Sequence, residues 1–397
     1  MRQPLPLAPS PAKSSQAPKE SDSQLTLEVT RDLDLQKDDI DALDALIAQR
    51  PRVGVFLSRA WLAGFFAEPP EGFVPSLALI REGTTLRGIA PLAIRESRAR
   101  TYVRLLGGGY GSDRVDLLVS RGCEAACSDI MLAWLVKSFA PKGVILELRD
   151  VPDDSSLWGA VHRAGAERTL QLALQPSEIH TLPYLPLAGS DAERGVDGWP
   201  ISKRRSLDKH RRMLERRCRL RIDLLDDATE VSAAFDCLVR FLHRRWDGHG
   251  EGSVLDNPRT LRFHRRALPQ LLAEGRLRMI RLSADMRTIA VFYGVASGSW
   301  WGYYLSGYDR DWAGRIHLGQ LTLATAIEMA TREGATEFDF LKGADRVKYV
   351  WPVRERATIN ADVYSHRSGA QLQRAARATR EATAALAKSA RHLFSRT

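Results

Sequence analysis

Two periods of apolar and polar positions alternate along this chain, and the switches between them outline its elements. Val53 to Glu68 (VGVFLSRAWLAGFFAE) is apolar on a helical period, and PSLALIRE and TLRGIAPLAI follow as two strands turning at Gly83. YVRLLGGGYGSDRVDLLV gives two strand-like runs around a glycine-rich loop. A helix from about Glu124 to Phe139, the strand GVILELR, a short helix near Leu157 and the strand RTLQLAL complete the first half. After Gln175 the segment PSEIHTLPYLPLAGSDAERGVDGWP carries four prolines and three glycines without periodicity, which predicts a connection. The pattern then restarts with a basic helix, the strand RLRIDLL, and helices over Glu230 to Trp246 and Pro258 to Ala273. Three strands, RLRMIRLS, TIAVFYGVAS and WWGYYLS, lead to a helix from Ile316 to Arg332 that stops at Gly334, and then to the strand TEFDFL. The halves share an order of elements, so the pattern predicts an α/β fold with mixed sheets in two tandem modules. The expected bounds are a leader over 1–30, modules over 31–175 and 201–365 separated by a linker over 176–200, and a tail over 366–397.

Length and composition add limits. The 397 residues exceed one typical core, and 44% hydrophobic residues supply enough apolar material for two. No apolar run reaches the roughly 18 residues of a membrane span, and the Pro/Ser-rich N-terminus lacks a secretory apolar region. Both point to a cytoplasmic protein, located in solution or peripherally at the inner membrane. Cys123, Cys127, Cys218 and Cys237 are too scattered for a disulfide framework, and no ligand spacing suggests a metal. The net charge of +10 is concentrated in two segments: Lys203 to Arg221 carries +8 and His366 to Thr397 carries +6, leaving −4 elsewhere. The first segment has a narrow apolar stripe of Leu207, Leu214 and Cys218, so it is either a packed, solvated helix or a surface for anions. No motif of sequence-specific nucleic-acid binding accompanies it. The tail repeats Leu372, Thr379, Leu386 and Leu393 at seven-residue intervals beside arginines, a pattern of a membrane-surface helix or of disorder.

Candidate chemistry gathers in the second half. WGYYLSGYD runs through DRDWAGR into the helix that starts at Ile316; a strand-to-helix loop presents free N–H groups and the positive end of a helix dipole, which suit a pyrophosphate. Gly307, Gly314 and Gly319 would allow close backbone approach there, or simply make turns. In TEFDFL the alternation sets Phe338 and Phe340 on one face and Asp339 and Leu341 on the other. Asp339 would then sit in partly apolar surroundings that raise its pKa and suit a general base, or else pair with Lys342 or Lys348 or cap a turn.

The segment Phe241 to Tyr364, with FLHRRWDGHGEGSVLDNPRTLRFHRRAL, VFYGVASGSWWGYYLSGYD and above all FDFLKGADRVKYVW, resembles the acetyltransferase domain of the CelD-like, polysaccharide-biosynthesis branch of the GNAT superfamily. That branch is related to the Fem-type transferases, which carry two such modules in tandem. The resemblance spans roughly Val53 to Tyr364 and implies acetyl-CoA as acyl donor and no metal. The thioester would be wedged between two splayed strands, with its pyrophosphate on the loop Asp311 to Gln320, including Gly314, Arg315, His317 and Gly319. Arg315 to Gly319 matches only part of the superfamily's phosphate motif, and an aminoacyl-tRNA donor, as in the Fem-type relatives, stays open.

Acyl transfer further needs oxyanion donors and an acid for the leaving thiolate. Backbone N–H groups near Tyr304 to Gly307 are candidates for the first, and Tyr304 or Tyr308 for the second. Lys342, Lys348, Tyr349 and Trp351 are candidates for the acceptor pocket, though a tryptophan such as Trp351 is more often a core residue. His243, Trp246, His249 and His264 form a second candidate group on the two preceding helices. Gly107 to Asp113 is read as a tight loop closing the first sheet, or as part of the acceptor groove. The expected activity is acyl transfer to an amine or hydroxyl of a sugar or cell-envelope precursor; the alternatives are a noncatalytic scaffold of polysaccharide synthesis and a Fem-like aminoacyl transferase.

Overall fold

The computed structural model describes residues 24–140, 142–167, 173–187, 199, 201–246, 253–313, 316–343 and 345–365. The expected leader and tail therefore fall almost wholly outside the described residues, as do Gly314, Arg315, His249 and the side chain of Trp246.

In the first half, β1 (Leu25–Thr30) precedes α1 (Lys37–Gln49), α2 (Pro51–Gly54) and α3 (Arg59–Ala67). Strands β2 (Val74–Glu82), β3 (Thr85–Glu96), β4 (Thr101–Leu105) and β5 (Leu118–Val119) follow, then α4 (Glu124–Ser138), β6 (Val144–Pro152), α5 (Ser156–Glu167) and β7 (Ala173–Pro186). The second half begins with α6 (Ile201–Glu215), β8 (Leu220–Leu224), α7 (Ala228–Trp246) and α8 (Pro258–Ala273). It continues with β9 (Leu277–Ala284), β10 (Arg287–Ser297), β11 (Trp300–Tyr308), α9 (Arg310–Ala313), α10 (Leu318–Arg332), β12 (Glu337–Asp339) and β13 (Arg354–Tyr364).

Local signals account for most of these bounds. Pro258 opens α8 behind Asn257, whose side chain accepts from the Arg259 N–H. Gly334, at φ +76°, ends α10 with its N–H on the Thr331 carbonyl. The helix expected over Val53–Glu68 is broken: a 3-10 turn at Val55–Leu57 ends at extended Ser58, which caps α3 by accepting from the Trp61 N–H.

The strands form one sheet in the order β1-β2-β3-β4-β6-β13-β7-β12-β11-β10-β9-β8, with β5 on β3. β4 and β6 are parallel, as are β11 and β12, and every other neighbouring pair is antiparallel. Each half therefore lends its last strand to the other: β7 of the first half pairs with β12, and β13 of the second pairs with β6. Residues 176–186, expected as linker, are most of β7. Prolines hid this strand. Pro176 and Pro183 lie where β12 does not pair, and Pro186 lies beyond the last residue paired with β13, so among the described residues each has one edge without a ladder partner.

One face of the sheet carries a core common to both halves, in which α1 and α3 pack with α7 and α8. Phe65 stacks on Phe263 at 4.4 Å between ring centroids, and a Cβ on Gly64 would come within 2.6 Å of the same Phe263 ring. On the other face each half keeps its own core, α4 and α5 in the first and α6 and α10 in the second. The stripe on α6 is spent here: Leu207 and Leu214 are buried, while Arg205, Lys209, Arg212, Arg216 and Arg217 remain exposed. Among the described residues no helix is long and apolar enough to cross a membrane.

Candidate active site

β11 and β12 pair for three residues, from Trp300/Glu337 to Gly302/Asp339, and then part. Two local features cause the parting. On β11, Tyr293 of β10 faces Leu305 and Gly294 faces Tyr303, so Tyr304 is the extra residue of a bulge, which bends the strand and takes it out of the ladder. Beyond β12, Leu341 turns at φ +56°, its N–H held by Asp339 Oδ1 at 2.8 Å, and Gly343 follows at φ +110°. A left-handed leucine costs about 1–3 kcal/mol, so the surrounding contacts hold it there.

Side chains meet across the gap. Tyr303 on β11 stacks on Phe292, approaches Phe340 edge-on at 6.5 Å, has the Lys348 ammonium 5.8 Å from its ring, and shares a 2.8 Å hydrogen bond with Ser306. Lys348 is only 4% exposed and donates to the Lys342 carbonyl at 2.7 Å. Burial pushes its pKa below the ordinary lysine value, partly offset by the carboxylates of Asp113, Asp345 and Asp339.

The glycine-rich loop of the first half closes onto this segment. It is tight: Gly107 and Gly109 have positive φ, and a Cβ on Gly108 would lie 2.6 Å from the Arg149 carbonyl. At its end half-buried Asp113 accepts from the Lys342 N–H at 3.2 Å. Asp150, itself at φ +55°, accepts from the Gly109 N–H at 2.9 Å and pairs with Lys342 Nζ at 2.8 Å. Two carboxylates of the first half thus face two ammonium groups of the second. Burial raises the pKa of Asp113 and the charge of Asp150 adds to the rise, while the Lys342 N–H and the ammoniums of Lys348 and Lys342 oppose it. A carboxylate shifted in this direction has the character of a general base.

The residues expected from sequence divide. Lys342 and Lys348 belong to this cluster. Asp339 lies at the same gap but has no exposed surface, and its surroundings are not apolar: Oδ1 is taken by the Leu341 N–H, and Oδ2 faces Arg356 at 3.5 Å and Arg114 at 3.9 Å. It caps a turn. Tyr304 donates its hydroxyl to the Gly111 carbonyl at 2.9 Å, which ties the halves together, and burial raises its pKa well above the ordinary tyrosine value. That commitment removes it as the acid. Trp351 is core, against Trp199 at 4.6 Å, and Tyr349 lies at the surface, bonded to Glu355. His264 is fully buried among aromatic rings, and His243 is held by Asp256 at 2.7 Å.

At the start of α10, Gly319 lies against Tyr308, so that a Cβ there would stand 3.1 Å from its ring. His317 precedes the helix without a side-chain cap and stacks on His210 of α6 at 4.6 Å, and Gln320 follows in the first turn. The Leu318 N–H is bonded to the Ile316 carbonyl at 3.0 Å, and the start of the helix carries the positive end of its dipole, which suits a phosphate group. Gly307 has another role, since a Cβ there would lie 3.0 Å from Leu238 and Phe241 of α7.

Sequence reasoning did not single out Asp113 or Asp150, nor Tyr303 and Ser306. The available signal for Asp113 was an acid closing a glycine-rich loop directly after a strand.

Residues 202–349 match the model of the acetyltransferase (GNAT) domain, so the chain carries a GNAT-type acyltransferase domain over that segment. No curated protein sequence matches the chain. Among solved structures, FemX superposes with a TM-score of 0.58 at 11% identity, covering 85% of this chain and 96% of its own. The C-terminal domain (DUF2156) of a proposed lysylphosphatidylglycerol synthetase from Agrobacterium fabrum gives 0.51 at 8% identity, over 85% and 94%. L-PGS from Bacillus licheniformis gives 0.50 at 11% identity, over 85% and 95%. At these identities the likeness is one of fold.

Proposed function

We propose that the protein transfers an acyl group, acetyl in the first instance, from a CoA thioester to an amine or hydroxyl of a sugar or cell-envelope precursor. The observation that carries this reading is the parting of β11 and β12 after three paired residues, with a bulge at Tyr304, inside the segment that matches the acetyltransferase domain. The first turn of α10, at the positive end of its helix dipole, would hold the diphosphate of the donor, with Gly319 in that turn and His317 beside it. The donor supplies an activated acyl carbon. The chain supplies the unpaired backbone at the bulge toward the developing oxyanion, Asp113, in place of Asp339, to take the proton of the attacking amine or hydroxyl, and Tyr308, beside Gly319, to give a proton to the sulfur as the C–S bond breaks, so that CoA leaves as the thiol.

The test is calorimetric titration of the protein with acetyl-CoA, repeated on Gly319→Glu, whose carboxylate would stand where the diphosphate binds and press on Tyr308. Micromolar binding that is lost in the variant is expected. No binding of acetyl-CoA or of longer acyl-CoAs would overturn the donor assignment. One observation favours a second reading, an aminoacyl-tRNA donor: the exposed cationic face of α6. That reading predicts tRNA retention that falls steeply with salt.

A further inference from the structure

A second cleft, of 560 Å³, opens between the halves at the starts of β11 and β12, the end away from the gap. Its wall is rich in arginine: Arg50 and Arg52 from the start of α2, Arg114 from the loop after β4, and Arg356 from β13. Three of the four are matched. Arg50 pairs with Asp116 at 3.2 Å, Arg52 holds both oxygens of Glu337, and Arg356 shares that carboxylate while lying 3.6 Å over the Tyr184 ring.

Arg114 is different. It is 4% exposed and makes no hydrogen bond to any described residue. Its closest carboxylate, Asp339, stands 3.9 Å away and is already engaged by the Leu341 N–H and by Arg356. Among the described residues the Arg114 Nε is enclosed without an acceptor, and so is the indole Nε1 of Trp300, a residue that lines the same cleft. Buried donors are ordinarily satisfied, and a buried guanidinium is the most costly to leave unmatched. A cleft of this volume admits a small molecule, and the Glu337 carboxylate on its wall is already shared by Arg52 and Arg356.

We propose that this cleft binds an anionic group, a carboxylate or a phosphate, with Arg114 as the residue that recognises it. Arg50 and Arg52 flank the entry, and exposed Asp153 and Asp154 on the rim oppose it, which favours a ligand whose charge is confined to one end. Arg suits the role because its planar fork meets either group bidentately. The site rests on its own unmatched donors and not on the transferase reading, so each can fail without the other.

The experiment is calorimetric titration of the full chain with potassium phosphate and, separately, with succinate, at constant ionic strength. Binding of one equivalent of either anion is expected, and the tighter of the two identifies the group. Arg114→Gln should weaken it about 10- to 100-fold. Saturating acetyl-CoA should leave the anion in place. Where Arg114→Gln fails to fold, Thr336→Glu decides, because Thr336 is exposed on the cleft wall and a carboxylate there should repel the anion. Absence of binding by both anions, unchanged affinity in these variants, or displacement by acetyl-CoA would each overturn the proposal.

Discussion

His264 gives the sharpest quantitative test of the core shared by the two halves. The side chain has no exposed surface and stands among Trp61, Phe235, Phe263, Tyr293 and Tyr304, with ring centroids 4.8 to 6.1 Å away. Its Nδ1 lies 3.3 Å from the Tyr293 hydroxyl, and its Nε2 has no hydrogen-bond partner among the described residues. Burial alone pushes its pKa down from 6.5 to about 3. Between those values the unfolded chain binds a proton that the folded chain refuses, so stability is lost as pH falls through the window and the loss is absent above pH 6.5. At 1.36 kcal/mol per pKa unit the full penalty approaches about 5 kcal/mol near pH 3, of which about 2 kcal/mol has accumulated by pH 5. His264→Phe keeps an aromatic ring in the cavity and removes the titration. Urea unfolding of both proteins from pH 8 to pH 5 should give a wild-type stability falling about 2 kcal/mol further than that of the variant, whatever their difference at pH 8. Other titrating groups, such as buried Asp116, cancel in the comparison. Parallel curves would refute the assignment of a neutral, desolvated histidine.

Two further outcomes follow from the exchange of strands and from the charge cluster. Asp113→Asn can still accept from the Lys342 N–H, so acetyl-CoA affinity should be unchanged while turnover falls about 10²- to 10⁴-fold. Because the Asp113 pKa is raised, the wild-type rate should climb with pH through a limb above the ordinary carboxylate value of about 4, and a variant that keeps this limb would exclude Asp113 as the base. A chain cut to residues 201–397 loses both β6 and β7, the two neighbours of β13, and should show no cooperative thermal transition by circular dichroism; a cooperative transition would argue against the exchange.

Elements with strong local signals were legible in the sequence. The helix over Pro258–Ala273 and the strands at Leu277–Ala284, Arg287–Ser297 and Trp300–Tyr308 were readable because their caps, turns and periodicities are local. β1, α1 and β13 went unread: LTLEVT alternates apolar and polar strictly and carried a local strand signal that was passed over, while RERATINADVY has six polar residues to five apolar, and its neighbouring strands supply the reason for its conformation. Residues 176–186 read as a connection because three prolines fall within them, yet an edge partly free of ladder partners is where a strand tolerates proline.

The same non-locality explains the candidate site. Alternation placed Asp339 correctly on the face opposite Phe338 and Phe340, but which charge meets it depends on Arg114 and Arg356, brought from 225 positions earlier in the chain and from a strand that crosses into the other half. Asp113 and Lys342 come together in the same way, from opposite halves. Because β7 and β13 are exchanged, neither half can move away without breaking a ladder, so groups from both can be held at fixed distances without a short connection between them. Rigid placement from distant parts of the chain is what a general base and its acceptor site require, and an isolated sequence segment cannot display it.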